Sequence, residues 1–377
     1  MSPADRSIHE LFQAKPVDEV ARAYRTLFEG ASNRAAQARR WSEDLWRDFH
    51  DLADSQFLER FPFEFHQRWF EMYVGASLRR AGLHVEAPKP GPDFCVIVEG
   101  RRIFIEAIAP TGGNPLHADA VPEPNYRDAD GTPRAVQVPH SKITLRIADA
   151  FRRKAEVFDR YRRDGHVGRG DPCIIAINLH DIPQAWADAQ EYWFRGLYGV
   201  GDMFVTLDRT GHATTSGREH RELLERAAGA VEDVAPLLHA DRGAISGVLG
   251  SAADAGNVRN PAGDDFLLMP HAAPQSPYPP GLIRRGVEIA LRAGEDGQSW
   301  DVETIDYGAH KPQGPVAFTV EYEGARHDGE WAVAGRNLSV RIASWRSEFP
   351  IQAGDDPAAL AAANAVGILS VLGSRRR

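Results

Sequence analysis

Cysteine is scarce: the 377-residue chain has two, Cys95 and Cys173. Each lies inside an apolar run, FCVIV and PCIIAI, which suits a reduced, buried thiol and excludes a disulfide framework. No apolar stretch approaches the roughly 18 residues that a spanning helix needs, so no membrane segment is expected. The N-terminus MSPADRSIHELFQAKP is charged from the start and lacks the apolar core of a secretory signal, which points to the cytoplasm. An excess of positive charge is also missing. The formal net charge of −9 argues against a basic coat that binds nucleic acid indiscriminately. The histidines and cysteines form no HExxH or C-x-x-C pattern for zinc, and no G-x-S-x-G nucleophile elbow occurs. The glycine-rich run 196–201 lacks the strand-before, helix-after setting that a nucleotide cofactor requires.

What is present is an ordinary globular composition, 43% hydrophobic and 26% charged, at a length that suits two domains. Spacings of three and four in WSEDLWRDFHDL and FEFHQRWFEMYVGASLRRAG predict helices from about residue 16 to 81, the second stopping at Gly82. Two β-rich runs around Glu99-Gly100, FCVIV and RIFIEAIA, predict a hairpin. Residues 110–140 are rich in Gly, Pro, Asn and Asp, a connection long enough to be functional or mobile. A helix over SKITLRIADAFRRKAEVFDRYRRDG, a buried strand Cys173–Asn178 and a further strand over 203–207 follow. This order implies an α/β fold with a mixed central sheet flanked by helices. The expected organisation is a helical region 1–60, a core 61–286 and a small α+β unit 287–377. That last unit would hold a meander (FTVEYEG, EWAVAG, LSVRIAS) and a final helix opened by Asp356 and Pro357.

The hairpin fixes a geometry. With Glu99 and Gly100 as turn residues, Val98 pairs with Arg101, and Asp93 falls opposite Glu106 with Cβ atoms about 4.5–5.5 Å apart. Alternation puts Cys95, Ile97, Phe104 and Ile108 on the face of the two carboxylates, and Phe94, Val96, Ile103, Ile105 and Ala107 on the other. Both faces are apolar, as in a strand pair buried on both sides. Facing carboxylates in such a setting share a proton or hold a cation, and hard ions such as Mg²⁺ or Mn²⁺ prefer their oxygens. The plainer alternative is a pair at a solvent-open sheet end with no role.

Pro92-Asp93, followed thirteen residues on by Glu106, Ala107 and Ile108, resembles the signature of the PD-(D/E)XK nuclease superfamily. Glu71, within RWFEMYVGASLRRAG, stands on the preceding helix where that superfamily commonly has an acidic residue. The stretches FEMYVGASLRRAGLHV, GPDFCV, IFIEAIAP, DPCIIAIN and HAAPQSPYPPG are also similar to a group of bacterial proteins with this core, a likeness spanning residues 61–286. The resemblance implies a restriction-endonuclease-like core, Mg²⁺ or Mn²⁺ held by Asp93, Glu106 and Glu71, and hydrolysis of DNA phosphodiester bonds. One position departs from the pattern. The signature's lysine, which positions the attacking water and stabilises charge on the phosphate, is replaced by Ile108.

Some members of the superfamily take the basic group from a neighbouring helix instead. Lys142, Arg146 and Lys154 fall within about a third of the circumference of the helix that follows the hairpin. Lys154 is the first candidate and Lys142 the second. Arg146, Arg152, Arg153, Arg160 and Arg163 are candidate phosphate contacts, with a solvated face, laced with Asp149, Glu156 and Asp159, as the alternative. The expected partner is DNA, and a homodimer is compatible with the sequence. Ile108 and the acidic net charge keep a second reading open: a non-cleaving nuclease fold that serves as a nucleic-acid-binding or protein-interaction module.

Overall fold

A computed structural model describes residues 10–13, 19–30, 32–132, 136–207, 209, 213–257, 262–293 and 299–307, with the strand segments 316–322, 325–331, 337–343 and 346–350. Helices α1 (Arg22–Glu29), α2 (Asn33–Phe49), α3 (Phe57–Arg60) and α4 (Phe65–Arg80) come first. Strands β1 (His84–Glu86), β2 (Phe94–Val98) and β3 (Arg101–Ile108) follow, then α5 (His140–Arg163), β4 (Cys173–Asn178) and α6 (Ala189–Leu197). Next are β5 (Val200–Leu207), β6 (Ala213–His220), β7 (Leu223–Glu225), β8 (Val231–Asp233), β9 (Gly247–Ser251) and β10 (Leu267–Pro270). Strands β11 (Val287–Ala293), β12 (Ser299–Asp306), β13 (Val316–Tyr322), β14 (Ala325–Trp331), β15 (Asn337–Ala343) and β16 (Arg346–Pro350) complete the described elements.

A large mixed sheet in the order β1-β2-β3-β4-β9-β10-β11-β12-β15 organises the chain. β3, β4 and β9 run parallel to one another, β9 pairs antiparallel with β10, and β1, β2 and β3 form an antiparallel meander. The β2–β3 register is the one the turn residues imply, with Val98 opposite Arg101 and Phe94 opposite Ile105. Glu99 and Gly100 both have positive φ, 51° and 77°, the pairing that twists a two-residue hairpin turn to match its strands.

Strand alternation divides the hydrophobic core in two. Phe94, Val96, Ile103, Ile105, Ile174 and Ala176 face α2 and α4. Cys95, Phe104, Cys173, Ile175 and Ile177 face α5 and α6, and both cysteines are free, buried thiols. α4 is buried on every side, since each residue from Trp69 to Leu78 is inaccessible or nearly so. It runs so close to α2 and β2 that a Cβ on Gly75 would stand 2.7 Å from the Phe49 ring and 2.9 Å from that of Phe94. In α5 the buried positions Ile143, Ile147, Ala150, Phe151 and Phe158 mark the stripe that packs on the sheet. Lys154 falls on that same stripe, a charged residue where helical spacing calls for an apolar one.

The organisation expected from sequence changes in two places. Tyr24, Leu45, Phe49 and Phe57 of α1–α3 belong to the same hydrophobic cluster as α4, so the helical region 1–60 shares the core that begins at residue 61. At the other end, β11 pairs in parallel with β10 (Leu267↔Val287, Leu268↔Glu288), and the strands placed in a separate unit beyond residue 286 extend the central sheet. The join at that boundary is tight. Gly286 has φ 60° and lies where any Cβ would collide with the Phe266 carbonyl. β14 also ends at Trp331, near the start of the strand expected over EWAVAG, and pairs with β13. The helix expected to open at Asp356 and Pro357 lies outside the described residues. Among those residues no helix is long and apolar enough to cross a membrane.

Candidate active site

Asp93 stands one residue before β2, where the ladder to β3 gives out, and side chains take over its hydrogen bonds. The Ala107 amide donates to Asp93 Oδ2 at 2.8 Å, and the Asp93 amide donates to Glu106 Oε2 at 3.1 Å. From α5, the Lys154 ammonium donates to Glu106 Oε1 at 2.9 Å, with side chains 17% and 7% exposed. Burial raises the pKa of Asp93 against the opposing pull of Lys154. Burial raises Glu106 as well, and the charge on Asp93 adds to the effect. Tyr161, two helical turns beyond Lys154, is pushed up to about 12 by burial and by the charges on Glu106 and Asp93.

Glu71 comes from α4. Its Oε1 accepts from Gln67 Nε2 at 2.9 Å and its Oε2 from Arg68 Nη1 at 2.8 Å. Burial, followed by the charge on Asp93, pushes its pKa up to about 7. The charge on Asp93 therefore perturbs both glutamates. Gln67 also reaches the end of β3, donating to the Ala107 carbonyl at 3.2 Å and accepting from the Ala109 amide at 2.8 Å. One amide thus ties the helix bearing Glu71 to the strand bearing Glu106. Arg68 is shared with Glu64 at 3.0 Å and Asp54 at 3.6 Å, so the trio is left with more negative than positive charge around it.

The trio is not a closed ligand cage. Among the described residues no three His, Cys, Asp or Glu side chains form a ready metal-binding group. Arg68 and Lys154 instead hold one oxygen each of Glu71 and Glu106, while Asp93 Oδ1 accepts no hydrogen bond among those residues. A cavity of about 200 Å³ opens beside Glu71 and Asp93, between the turn after α2 and the loop 87–92.

The other expected residues divide. Lys142 is twelve residues upstream of Lys154 on one continuous helix, about 18 Å along its axis, and is not brought to the carboxylates. His140, at the start of α5, pairs with the Tyr192 hydroxyl at 2.9 Å and is equally remote. Arg146 donates to the Thr111 carbonyl at 2.9 Å and lies 3.7 Å from Asp149. Arg152 pairs with Asp149, Glu156 and Glu232 at 2.8, 3.1 and 3.2 Å. Asp149 is buried and also meets Arg226 at 2.6 Å, so Arg146 and Arg152 compensate a buried carboxylate, and Arg152 fastens α5 to β8 through Glu232. Arg153, Arg160 and Arg163 are exposed, and among the described residues none of them makes an ion pair.

Gln67, Arg68 and Asp54 were not among the expected residues. Gln67 and Arg68 precede Glu71 by four and three positions, the spacings at which helical side chains meet, and that was the available signal. Asp54 carried none. No family model, curated protein or solved structure matches the chain, so the chemistry of the site rests on its own residues.

The Lys154–Glu106 pair has a testable energetic consequence. Lys154→Met leaves a buried carboxylate without its cation, and breaking such a pair costs about 3 kcal/mol. Urea denaturation at pH 7 is expected to register that loss. Lys142→Ala is expected to change stability by less than about 0.5 kcal/mol.

Proposed function

We propose that the chain is a metal-dependent phosphodiesterase acting on DNA, with Asp93, Glu106 and Glu71 as the acidic group and Lys154 as its basic partner. The observation that carries this reading is the Lys154–Glu106 contact. It supplies from a helix the ammonium group that Ile108 cannot supply from the strand. The donor set suits a hard divalent ion, being all oxygen, mostly buried, and in excess over its cations. Asp93 and Glu106 would hold Mg²⁺ or Mn²⁺, with Glu71 joining directly or through water. When bound, such an ion supplies Lewis acidity toward water and toward a phosphate oxygen.

The protein's own groups do the rest. The Lys154 ammonium has three donors, and those not directed at Glu106 can orient a water or neutralise a phosphate oxygen. The Gln67 amide keeps Glu71 in register with β3. Arg153, Arg160 and Arg163 offer exposed positive charge along α5 for the DNA backbone. A non-cleaving binding module is the second reading. Ile108 at the place of the signature's lysine and the formal net charge of −9 favour it.

Nicking of supercoiled plasmid in Mn²⁺ separates the two. The native protein is expected to nick, and Lys154→Ala to slow it by about 10²-fold. Absence of metal-dependent nicking supports the binding module, and full activity in Lys154→Ala removes the assigned role of that residue.

A further inference from the structure

The carboxyl ends of the parallel strands β4 and β9 meet the first turn of α4 at a second polar cluster, which hydrolysis at the acidic trio does not use. Such strand ends are where open α/β sheets commonly take ligands. His66 comes from α4, His180 and Asp181 from the loop after β4, and Asp254 from the loop after β9. The four side chains are 25–32% exposed, so each presents surface to solvent. Asn178, the last residue of β4, bolts the two loops together. Its side-chain amide donates to the Ala253 carbonyl at 2.8 Å, and its Oδ1 accepts from the His180 amide at 2.7 Å.

Hydrogen bonding fixes the state of His180. Its Nε2 donates to Asp254 Oδ2 at 2.9 Å, and the other oxygen of Asp254 accepts from the Gly256 amide at 3.0 Å. With the proton on Nε2, Nδ1 carries a lone pair, and Nδ1 is buried with no hydrogen-bond partner among the described residues. An imidazole held through one nitrogen by a carboxylate, with the other nitrogen open, is the usual arrangement of a metal-binding histidine. His66 Nε2 stands 3.6 Å from Asp181 Oδ1, beyond a hydrogen bond. Two donors on one tetrahedral ion, at bonds of about 2.1 Å, stand roughly 3.4 Å apart. Burial holds the pKa of His66 below its ordinary value against the pull of Asp181, which favours the neutral ring that a metal requires. The two imidazole rings are 6.1 Å apart between centroids. A cavity of about 10 Å³, lined by all four residues, lies with them and has room for one ion or water and nothing larger.

We propose that His66, His180 and Asp181 bind one borderline divalent cation of the Zn²⁺ kind, with Asp254 orienting His180 from behind, and that the ion fastens the first turn of α4 to the strand-end loops. Two imidazoles and one carboxylate suit such an ion, whereas the all-carboxylate trio suits Mg²⁺ or Mn²⁺. Among the described residues no three such side chains already form a ready group, so binding turns the partly exposed Asp181 carboxylate inward. The inference stands apart from the nuclease reading, since no residue is shared between the two sites.

Co²⁺ is the probe, because its visible absorption reports tetrahedral coordination by nitrogen. The native protein is expected to bind one equivalent with a visible band that Zn²⁺ abolishes by displacement. His66→Gln, a change at a partly exposed helix position, is expected to weaken binding by at least about 10²-fold, more than the roughly 10–100-fold expected of the orienting Asp254→Asn. Unfolding temperatures without metal establish that both variants keep the fold. Asp93→Asn is expected to leave the band unchanged, whatever it does to cleavage. No saturable band, or a band that survives His66→Gln, overturns the proposal. A band lost in Asp93→Asn also overturns it, because the ion then sits at the acidic trio.

Discussion

Asp93→Asn is expected to lose metal-dependent cleavage by about 10²–10³-fold while keeping, or slightly raising, the stability of the fold at pH 7. The two halves of that result come from one cause. Burial raises the pKa of Asp93, which means that its charged form is held at a cost in the folded state. An asparagine has no charge to bury, and its carbonyl oxygen can still accept from the Ala107 amide. Charge near a reacting phosphate is lost, and the anchor of the β2–β3 end is kept. A merely structural residue behaves the opposite way, losing stability and activity together. Plasmid nicking and urea denaturation on the same preparation decide between them, and a variant as active as the native protein contradicts the proposed role.

Glu71 gives the second large effect. Its folded pKa is raised from 4.5 to about 7 by burial and by Asp93. A carboxyl group raised in this way favours folding fully below about pH 4.5, and the contribution is lost as pH rises through 7. The size is roughly 3 kcal/mol, taking about 1.4 kcal/mol for each unit. Other groups titrate nearby. His66, His220 and His271 have lowered pKa values from burial, and they weaken the fold as pH falls below about 6.5. The difference between native protein and Glu71→Gln therefore isolates the effect. Denaturation midpoints at pH 5 and pH 8 are expected to show the variant gaining roughly 3 kcal/mol relative to the native protein at the higher pH. A gap that does not change with pH contradicts the assignment of Glu71 as a carboxylate held against its charge.

Local signals made much of this arrangement legible in sequence. The hairpin register follows from two apolar runs and the Glu99-Gly100 turn, because side-chain alternation has period two and one slipped residue would move every side chain to the other face. Lys154 was legible only as one of three, because helical geometry at 100° per residue groups it with Lys142 and Arg146, and the structure brings Lys154 alone to Glu106. Glu71 was placed by resemblance, and the structure adds its contacts with Gln67 and Arg68.

What was not legible depends on contacts far apart in the chain. The pairing of Arg152 with Glu232 joins residues eighty positions apart, and it turns two presumed phosphate contacts, Arg146 and Arg152, into partners of a buried acid. The double clamp of Gln67 on Ala107 and Ala109 requires α4 to pass the end of β3, which no periodicity announces. The same holds for β11. Its parallel pairing with β10, beside the close approach of Gly286 to Phe266, makes the boundary expected at residue 286 a joint within one sheet.

The central claim is that Asp93 lies at the middle of an acidic trio with an affinity for a divalent ion. Calorimetric titration with Mn²⁺ addresses it most directly, comparing the native protein with Asp93→Asn at neutral pH. The account predicts saturable binding by the native protein that weakens by at least about tenfold in the variant. No saturable binding, or identical binding by the two proteins, would contradict it.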